Sequence, residues 1–394
     1  MKPSRQNITR TALLLALLAG ALALALLLDR WEERPVQARL IAAAGPAAEL
    51  SGEADESFAR ALPGGEIRFP QDHGPHPDFQ TEWWYYTGNL QADEGRRFGY
   101  QLTFFRRAVV PPDLRRERAS DWAADQAYMA HFALSDIDGA GHRAWERLAR
   151  GAAGLAGAQS GPFQVWLEDW RVEELSPGRY RLRAAQEDVA LELELSEAKA
   201  PVLQGQDGYS QKGPQEGNAS YYYSLTRLLS TGTLATGGRT YALDGSSWMD
   251  HEYSTSALTQ GQTGWDWFSL QFEGGRELMV FQIRREDGTV DPFSSGSWVE
   301  PDGAVRSLSR DEFEVEVTGR WRSPESGAQY PAGWRLRAPG LGLELEVRPL
   351  LADQELNVSY QYWEGAVAAR GSLQGETLQG VGFVELTGYS PDGP

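Results

Sequence analysis

The sequence predicts an all-β protein made of two antiparallel barrels side by side, preceded by an apolar N-terminal helix. Three observations carry that prediction. From Trp83 onward the chain breaks into about twenty short runs of alternating or β-branched and aromatic residues, where one small closed barrel needs roughly 8 strands. The runs are separated by Asp138-Gly139, Pro177-Gly178, Gly274-Gly275, Asp287-Gly288 and Asp302-Gly303, pairs in which glycine supplies the positive φ of hairpin turns. Residues 80–90 hold four aromatics in a row, Trp83-Trp84-Tyr85-Tyr86, a density that suits a pleated surface rather than a helix. No repeat of about 20–50 residues is visible, which argues against a propeller.

Taken in order, the chain opens with Lys2, Arg5 and Arg10, then an unbroken apolar run from Ala12 to Leu28, ended by Asp29, Arg30, Glu32 and Glu33. A basic flank before an apolar core is an export signal. Its 17 residues also reach the short edge of a bilayer span, roughly 17–25, so residues 1–28 are a signal peptide or a membrane anchor. Residues 29–65, rich in Ala, Glu, Gly and Pro, are a linker. Asp72-His73-Gly74-Pro75-His76-Pro77-Asp78 is a stiff entry to the first strand; its prolines rule out a helical histidine pair, and no metal site is expected there. In residues 80–90 the period of two puts Glu82, Trp84 and Tyr86 on one face and Trp83, Tyr85 and Thr87 on the other. Both faces are bulky, so the strand is expected to be covered on both sides. Arg97–Arg106 pairs back through Asp93-Glu94-Gly95. A polar loop follows, with one helical turn expected near residues 120–124. Strands are then expected near 128–135, 163–172, 180–184, 189–195 and 221–228, which with the first two make a barrel over 66–250. Further runs fall near 241–252, 265–273, 277–285, 313–318, 334–338, 341–347, 358–367 and 378–389, and a second barrel is expected over 251–394, with the division near 240–255.

Composition closes off several functions. A net charge of −18 and a pI near 4.8 argue against a nucleic-acid partner. With no cysteine there are no disulfides, thiolates or Cys-based metal sites. Gly-x-Ser-x-Gly, His-Glu-x-x-His, phosphate-loop and dinucleotide patterns are all missing, and no cofactor is expected. The 14 tryptophans and 15 tyrosines fit large barrel cores or sites for flat apolar ligands.

Two dense stretches can carry chemistry. In Trp248-Met249-Asp250-His251-Glu252-Tyr253 a strand would put Asp250 and Glu252 on one face with Trp248, and His251 on the other. A carboxyl group beside a ring and a second carboxylate has its charged form disfavoured, which suits a general acid; the competing reading is a hydrogen-bonded lock between barrels. Asp266 alternates with Phe268, Leu270 and Phe272 on an apolar face, and is a second acid candidate unless an arginine such as Arg106 or Arg284 pairs with it. Glu82 is a third. His131, on a strand with Met129 and Ala133, is either scaffold or part of the site.

Several motifs in order, Thr81 to Leu90, Met129 to Leu134, Trp248 to Glu252, Tyr362-Trp363-Glu364-Gly365 and Gly382 to Tyr389, resemble the lipocalin-like family that includes carotenoid 1,2-hydratase (hydroxyneurosporene synthase) and many predicted secreted hydrolases. The resemblance covers roughly residues 65 to 390. It implies two lipocalin-like barrels and, in the best-known members, cofactor-free addition of water to the terminal double bond of an acyclic carotenoid. The export signal and acidic body place this chain nearer the secreted branch.

The expected activity is that of an exported, cofactor-independent enzyme, hydratase or hydrolase-like, on an apolar isoprenoid or lipid-like small molecule. Asp250, Asp266 and Glu82 are candidate acids and His251 an orienting group. Trp83, Trp84, Tyr86, His131, Trp248, Tyr253 and Trp265 are candidate lining residues. The alternatives are a non-catalytic lipocalin-type carrier of hydrophobic ligands in the periplasm and a purely structural envelope protein. Membrane contact is expected only through the N-terminal segment, if it is retained. Because basic residues precede the apolar run, the body is expected outside the cytoplasm. A reporter fused after Pro394 is expected to be active only there; cytoplasmic activity would overturn this orientation.

Overall fold

The computed structural model describes residues 56–116, 120, 122–255 and 258–390. The expected apolar helix, most of the linker and part of the 120–124 turn lie outside them. The described chain is all-β, with 23 strands and four three-residue 3-10 turns. Thirteen strands between Thr81 and Ser254 form one antiparallel sheet, and ten between Gln262 and Leu386 form another.

Both sheets curl by the same device: the first strand pairs with its successor and with the last strand. Thr81–Ala92 lies between Arg97–Ala108 and Arg239–Ser254. Gln262–Phe272 likewise lies between Glu277–Arg285 and Glu376–Leu386. Alternation then sorts the side chains into three apolar layers. Trp84, Tyr86, Leu102, Phe104 and Tyr223 fill the inside of the first sheet, and Phe268, Leu270, Trp334 and Trp363 the inside of the second. Tyr85, Tyr222 and Trp248 point the other way and pack with Trp267, Phe281 and Phe383 of the second sheet. The aromatic strand is therefore covered on both faces, one by its own barrel and one by the neighbouring sheet.

Polar contacts fix how the sheets sit. Glu277, fully buried, accepts from Lys199 Nζ and Arg227 Nε of the first sheet, each at 2.6 Å. Asn89 Nδ2 donates to the Gly382 carbonyl at 3.1 Å, and Gln271 Nε2 to the carbonyls of Thr226 and Ser247 at 2.8 and 2.9 Å.

The expected single strand over 163–172 is instead a hairpin, Gln164–Leu167 with Trp170–Ser176. Its two-residue turn is Glu168-Asp169, and Glu168 takes φ 56°. A turn of that shape is usually marked by Gly or Asn, so its acidic pair concealed it. Gly141–Arg150 is a strand that alternation did not reveal, because charged and apolar residues are mixed along it and most of its positions are half-buried.

The two sheets pack tightly at Gly99. A Cβ there would lie 2.8 Å from Ala366 Cβ and 3.3 Å from the Phe383 ring. Gly99→Val is expected to overpack this contact and destabilise by about 1–3 kcal/mol, read as a lower denaturation midpoint. Unchanged stability would mean that the sheets do not dock as described.

Candidate active site

Alternation on five strands converges at one place between the sheets. Here Trp83, Tyr85, Thr103 and Phe105 from the first two strands face Trp265, Trp267, Phe281, Ile283 and Glu385 from the second sheet, with Tyr222, Asp250, Glu252 and Lys212 completing the wall. They enclose a cavity of about 120 Å³, partly open to solvent. That is close to the ~150 Å³ that holds a benzene molecule, so the enclosed part fits the end of an apolar chain rather than a whole long substrate.

Asp250 is buried in this wall. Its Oδ1 accepts from Ser224 Oγ at 2.5 Å and Trp248 Nε1 at 2.7 Å, and its Oδ2 from Tyr222 Oη at 2.5 Å. Trp267 Nε1 donates in turn to Tyr222 Oη at 3.1 Å. Among the described residues no cation pairs with Asp250. Burial pushes its acid up to about 7, with Glu252 adding to the rise and the three hydrogen bonds opposing it. The Trp248 ring thus acts differently from expectation: its N–H lowers the pKa of Asp250, and burial raises it. Glu252, on the same face, accepts from the Ser220 hydroxyl and pairs with Lys212 Nζ at 3.2 Å. Lys212 is itself held over the Phe281 ring, 4.2 Å from its centroid.

The second sheet contributes carboxyl groups that single-residue reading passed over. Tyr85 Oη donates to Glu364 Oε1 at 2.6 Å, and the Trp265 indole N–H donates to Glu385. Burial raises the Glu364 acid well above its usual range and that of Glu385 to about 7. Both lie in motifs that carry the family resemblance, but each stands as an isolated acid in an apolar run. Only the pairing of the two strands brings them together.

Glu82 faces into the end of the first barrel, although it also reaches the cavity rim. It accepts from Arg106 Nε at 2.6 Å and contacts His76 Nδ1 and His251 Nε2, each at 2.8 Å. Burial opposes its charge, but Arg106 and the two imidazoles hold it well below the usual carboxylate range. His76 is raised to about 9: burial lowers it, and the hydrogen bonds and charges of Asp72 and Glu82 outweigh that. The donor atoms of His76, Glu82 and His251 lie within 4.8 Å of one another, which metal binding would require. The Arg106 guanidinium on the same carboxylate supplies the positive charge instead, so the group is a complete ion-pair network.

The remaining candidates separate. Trp84 and Tyr86 are inside the first barrel, and Trp84 stacks on His251 with centroids 4.9 Å apart. His251 Nδ1 lies 3.2 Å from Tyr223 Oη, and Tyr253 stacks on His76 at 3.5 Å. His131 bridges the sheets, 2.8 Å from Tyr362 Oη and 3.2 Å from Glu146. Asp266 points into the second barrel, where it pairs with Arg284 Nε and accepts from Tyr389 Oη, both at 2.9 Å. Asp250, Trp83 and Trp265 line the cavity, and Trp248 packs directly behind Asp250.

Residues 60–389 match the AttH-like family. A crystal structure from Nitrosomonas europaea described as AttH shares 36% identity, covering 84% of this chain and 100% of that one, with a TM-score of 0.76. The chain belongs to the AttH-like family. Two more distant structures share its fold: kievitone hydratase from Nectria haematococca, at 14% identity, a TM-score of 0.66 and coverage of 86% and 98%, and CghA with Sch210972, at 14% identity, a TM-score of 0.50 and coverage of 88% and 98%. No curated protein matches the sequence.

An acid whose pKa is raised on folding stabilises fully below its unfolded value, and that stability is lost as pH rises through the folded value. For Asp250 the window runs from about 4 to about 7, at up to about 1.4 kcal/mol per pH unit. Asp250→Asn is therefore expected to lose less stability than the parent protein between pH 5 and 7 in denaturant titrations. The histidine contributions cancel in that comparison. Parallel pH dependences would refute a proton held on Asp250.

Proposed function

We propose that this AttH-like protein is a cofactor-independent, hydratase-like enzyme acting on the end of an apolar isoprenoid or lipid-like molecule in the cavity between the sheets. The observation that carries this reading is Asp250, a cation-free carboxyl group whose acid is held near 7 in an aromatic wall. It is a proton donor poised near neutral pH, where general acids work best.

In this mechanism the substrate's terminal double bond lies against Asp250. The O–H of Asp250 breaks as a C–H bond forms on the less substituted carbon, leaving a tertiary cation. Cation–π attraction to the indole and phenol faces of Trp83, Trp267 and Tyr85 stabilises that cation, and water adds to it. Ser224 and Trp248 hold Oδ1, so the carboxyl group cannot swing away as its charge changes. The walls exclude water from all but the open side, which limits loss of the cation to elimination.

The shared fold with kievitone hydratase supports the reading, as does the motif resemblance to carotenoid 1,2-hydratase. The N-terminal basic and apolar segment supports export to the periplasm, with or without a retained anchor. The test is incubation in H₂¹⁸O with geraniol, squalene and a prenylated phenol. A product heavier by one labelled water is expected. Asp250→Asn is expected to lower kcat by about 10²–10⁴-fold while binding changes little. Binding of these compounds without product, in parent and variant alike, would replace the enzyme with a carrier.

A further inference from the structure

Glu364 and Glu385 sit directly opposite each other on the antiparallel strands Gln361–Leu373 and Glu376–Leu386. Opposed residues of such a pair project to the same face, and like charges directly opposed are destabilising. Neither carboxyl group has a Lys, Arg or His within ion-pair distance among the described residues, although many other acids of the chain do. Glu364 is buried, with its Oε1 bonded to Tyr85 Oη and its Oε2 meeting no N–H or O–H donor. Glu385 takes the Trp265 N–H and reaches the cavity. Two carboxylates so placed cannot both be charged, and a proton on Glu364 would find its acceptor in Glu385.

We propose that Glu364 and Glu385 share one proton, and that Glu385 is the acceptor of the proton released when water adds to the substrate. The second half of the reaction then belongs to the second sheet. Asp250 gives its proton to the alkene, and the water oxygen forms the new C–O bond. The O–H left in excess on that oxygen breaks toward Glu385. The pair thereby passes from one proton to two, and Asp250 from one to none. The extra proton leaves by the open side of the cavity, and Asp250 is reprotonated from solvent. Glu385 touches the reacting water. Glu364 is a positioning residue: its proton keeps the two oxygens together and leaves Glu385 as the basic member. The groups facing the pair are Asp250, Glu252 and Tyr85 from the first sheet and Tyr360 and Tyr362 from its own; Lys212, in the wall of the same cavity, is paired with Glu252 at 3.2 Å rather than with either acid of the pair. Burial raises both acids, in the same sense as the pairing.

The acceptor role rests on the hydration reading; the shared proton does not, and the two are tested apart. In an Asp250→Asn background, which removes the Asp250 proton from the signal, infrared difference spectra of the full chain across pH are expected to show a protonated-carboxyl band at neutral pH that is lost on adding Glu364→Gln, a change that keeps a donor toward Glu385 and should leave the melting temperature near that of the background. If the band is unchanged in both Glu364→Gln and Glu385→Gln, no proton is shared. With geraniol or the prenylated phenol as probe, Glu385→Gln is expected to lower kcat about 10²–10⁴-fold with KM little changed, and to abolish the fall in rate at acid pH. Glu364→Gln, whose amide is a weaker donor to Glu385 than a carboxyl O–H, is expected to shift that acid limb to higher pH while turnover persists. A Glu385→Gln enzyme with parental kcat and acid limb would overturn the acceptor role. If the parent protein hydrates none of the probes, the hydration reading and the acceptor role fall together, while the infrared band still decides the pair.

Discussion

A carboxyl group inside a protein must find a cation or keep its proton, and the organisation of this molecule follows from which acids were given cations. Desolvating a lone carboxylate costs far more than the fold can spare. Glu82 has Arg106, Asp266 has Arg284 and Glu277 has Lys199 and Arg227; these acids join strands and sheets. Among the described residues, Asp250, Glu364 and Glu385 have none. All three lie in the layer between the sheets, where the nearby cations are taken by other acids, Arg106 by Glu82 and Lys212 by Glu252. Scaffold and chemistry are thus separated by the placement of a few guanidinium groups.

The two sheets repeat one plan, and the repeat explains why Asp266 is not part of the site. In each sheet an acid on the opening strand points into its own barrel and meets an arginine of the following strand: Glu82 with Arg106, Asp266 with Arg284. These pairs are equivalent features of two related halves. The site arises where the halves differ and face each other, from residues one position along the same strands, Trp83 and Tyr85 on one side and Trp265 and Trp267 on the other.

Much of this was legible in the sequence. The all-β class, the covered aromatic strand and the orientation of Asp250 with Trp248 and Glu252 all follow from period-two alternation in locally dense stretches. The need of Asp266 for an arginine such as Arg284 follows from its place on an apolar strand face, and Arg284 meets it. What escaped was information held in pairing between strands. Glu364 and Glu385 each read as one acid in an apolar run, and only their register makes them a pair. The Glu168 turn escaped because its left-handed residue is not glycine. Tyr222 and Lys212 lie about 30 to 40 residues before Asp250, and no local pattern links them to it.

The double covering of the Thr81–Ala92 strand has a consequence for how such a site can diversify. Its even positions, Trp84 and Tyr86, hold the barrel, and its odd positions, Trp83 and Tyr85, shape the cavity. The same division recurs with the opposite parity at Trp248, Asp250 and Glu252. Heredity can therefore edit the two roles separately along one strand. Ligand preference can drift through alternate codons while the intervening ones stay under selection for folding, so a lineage can acquire new substrates without first acquiring a new scaffold.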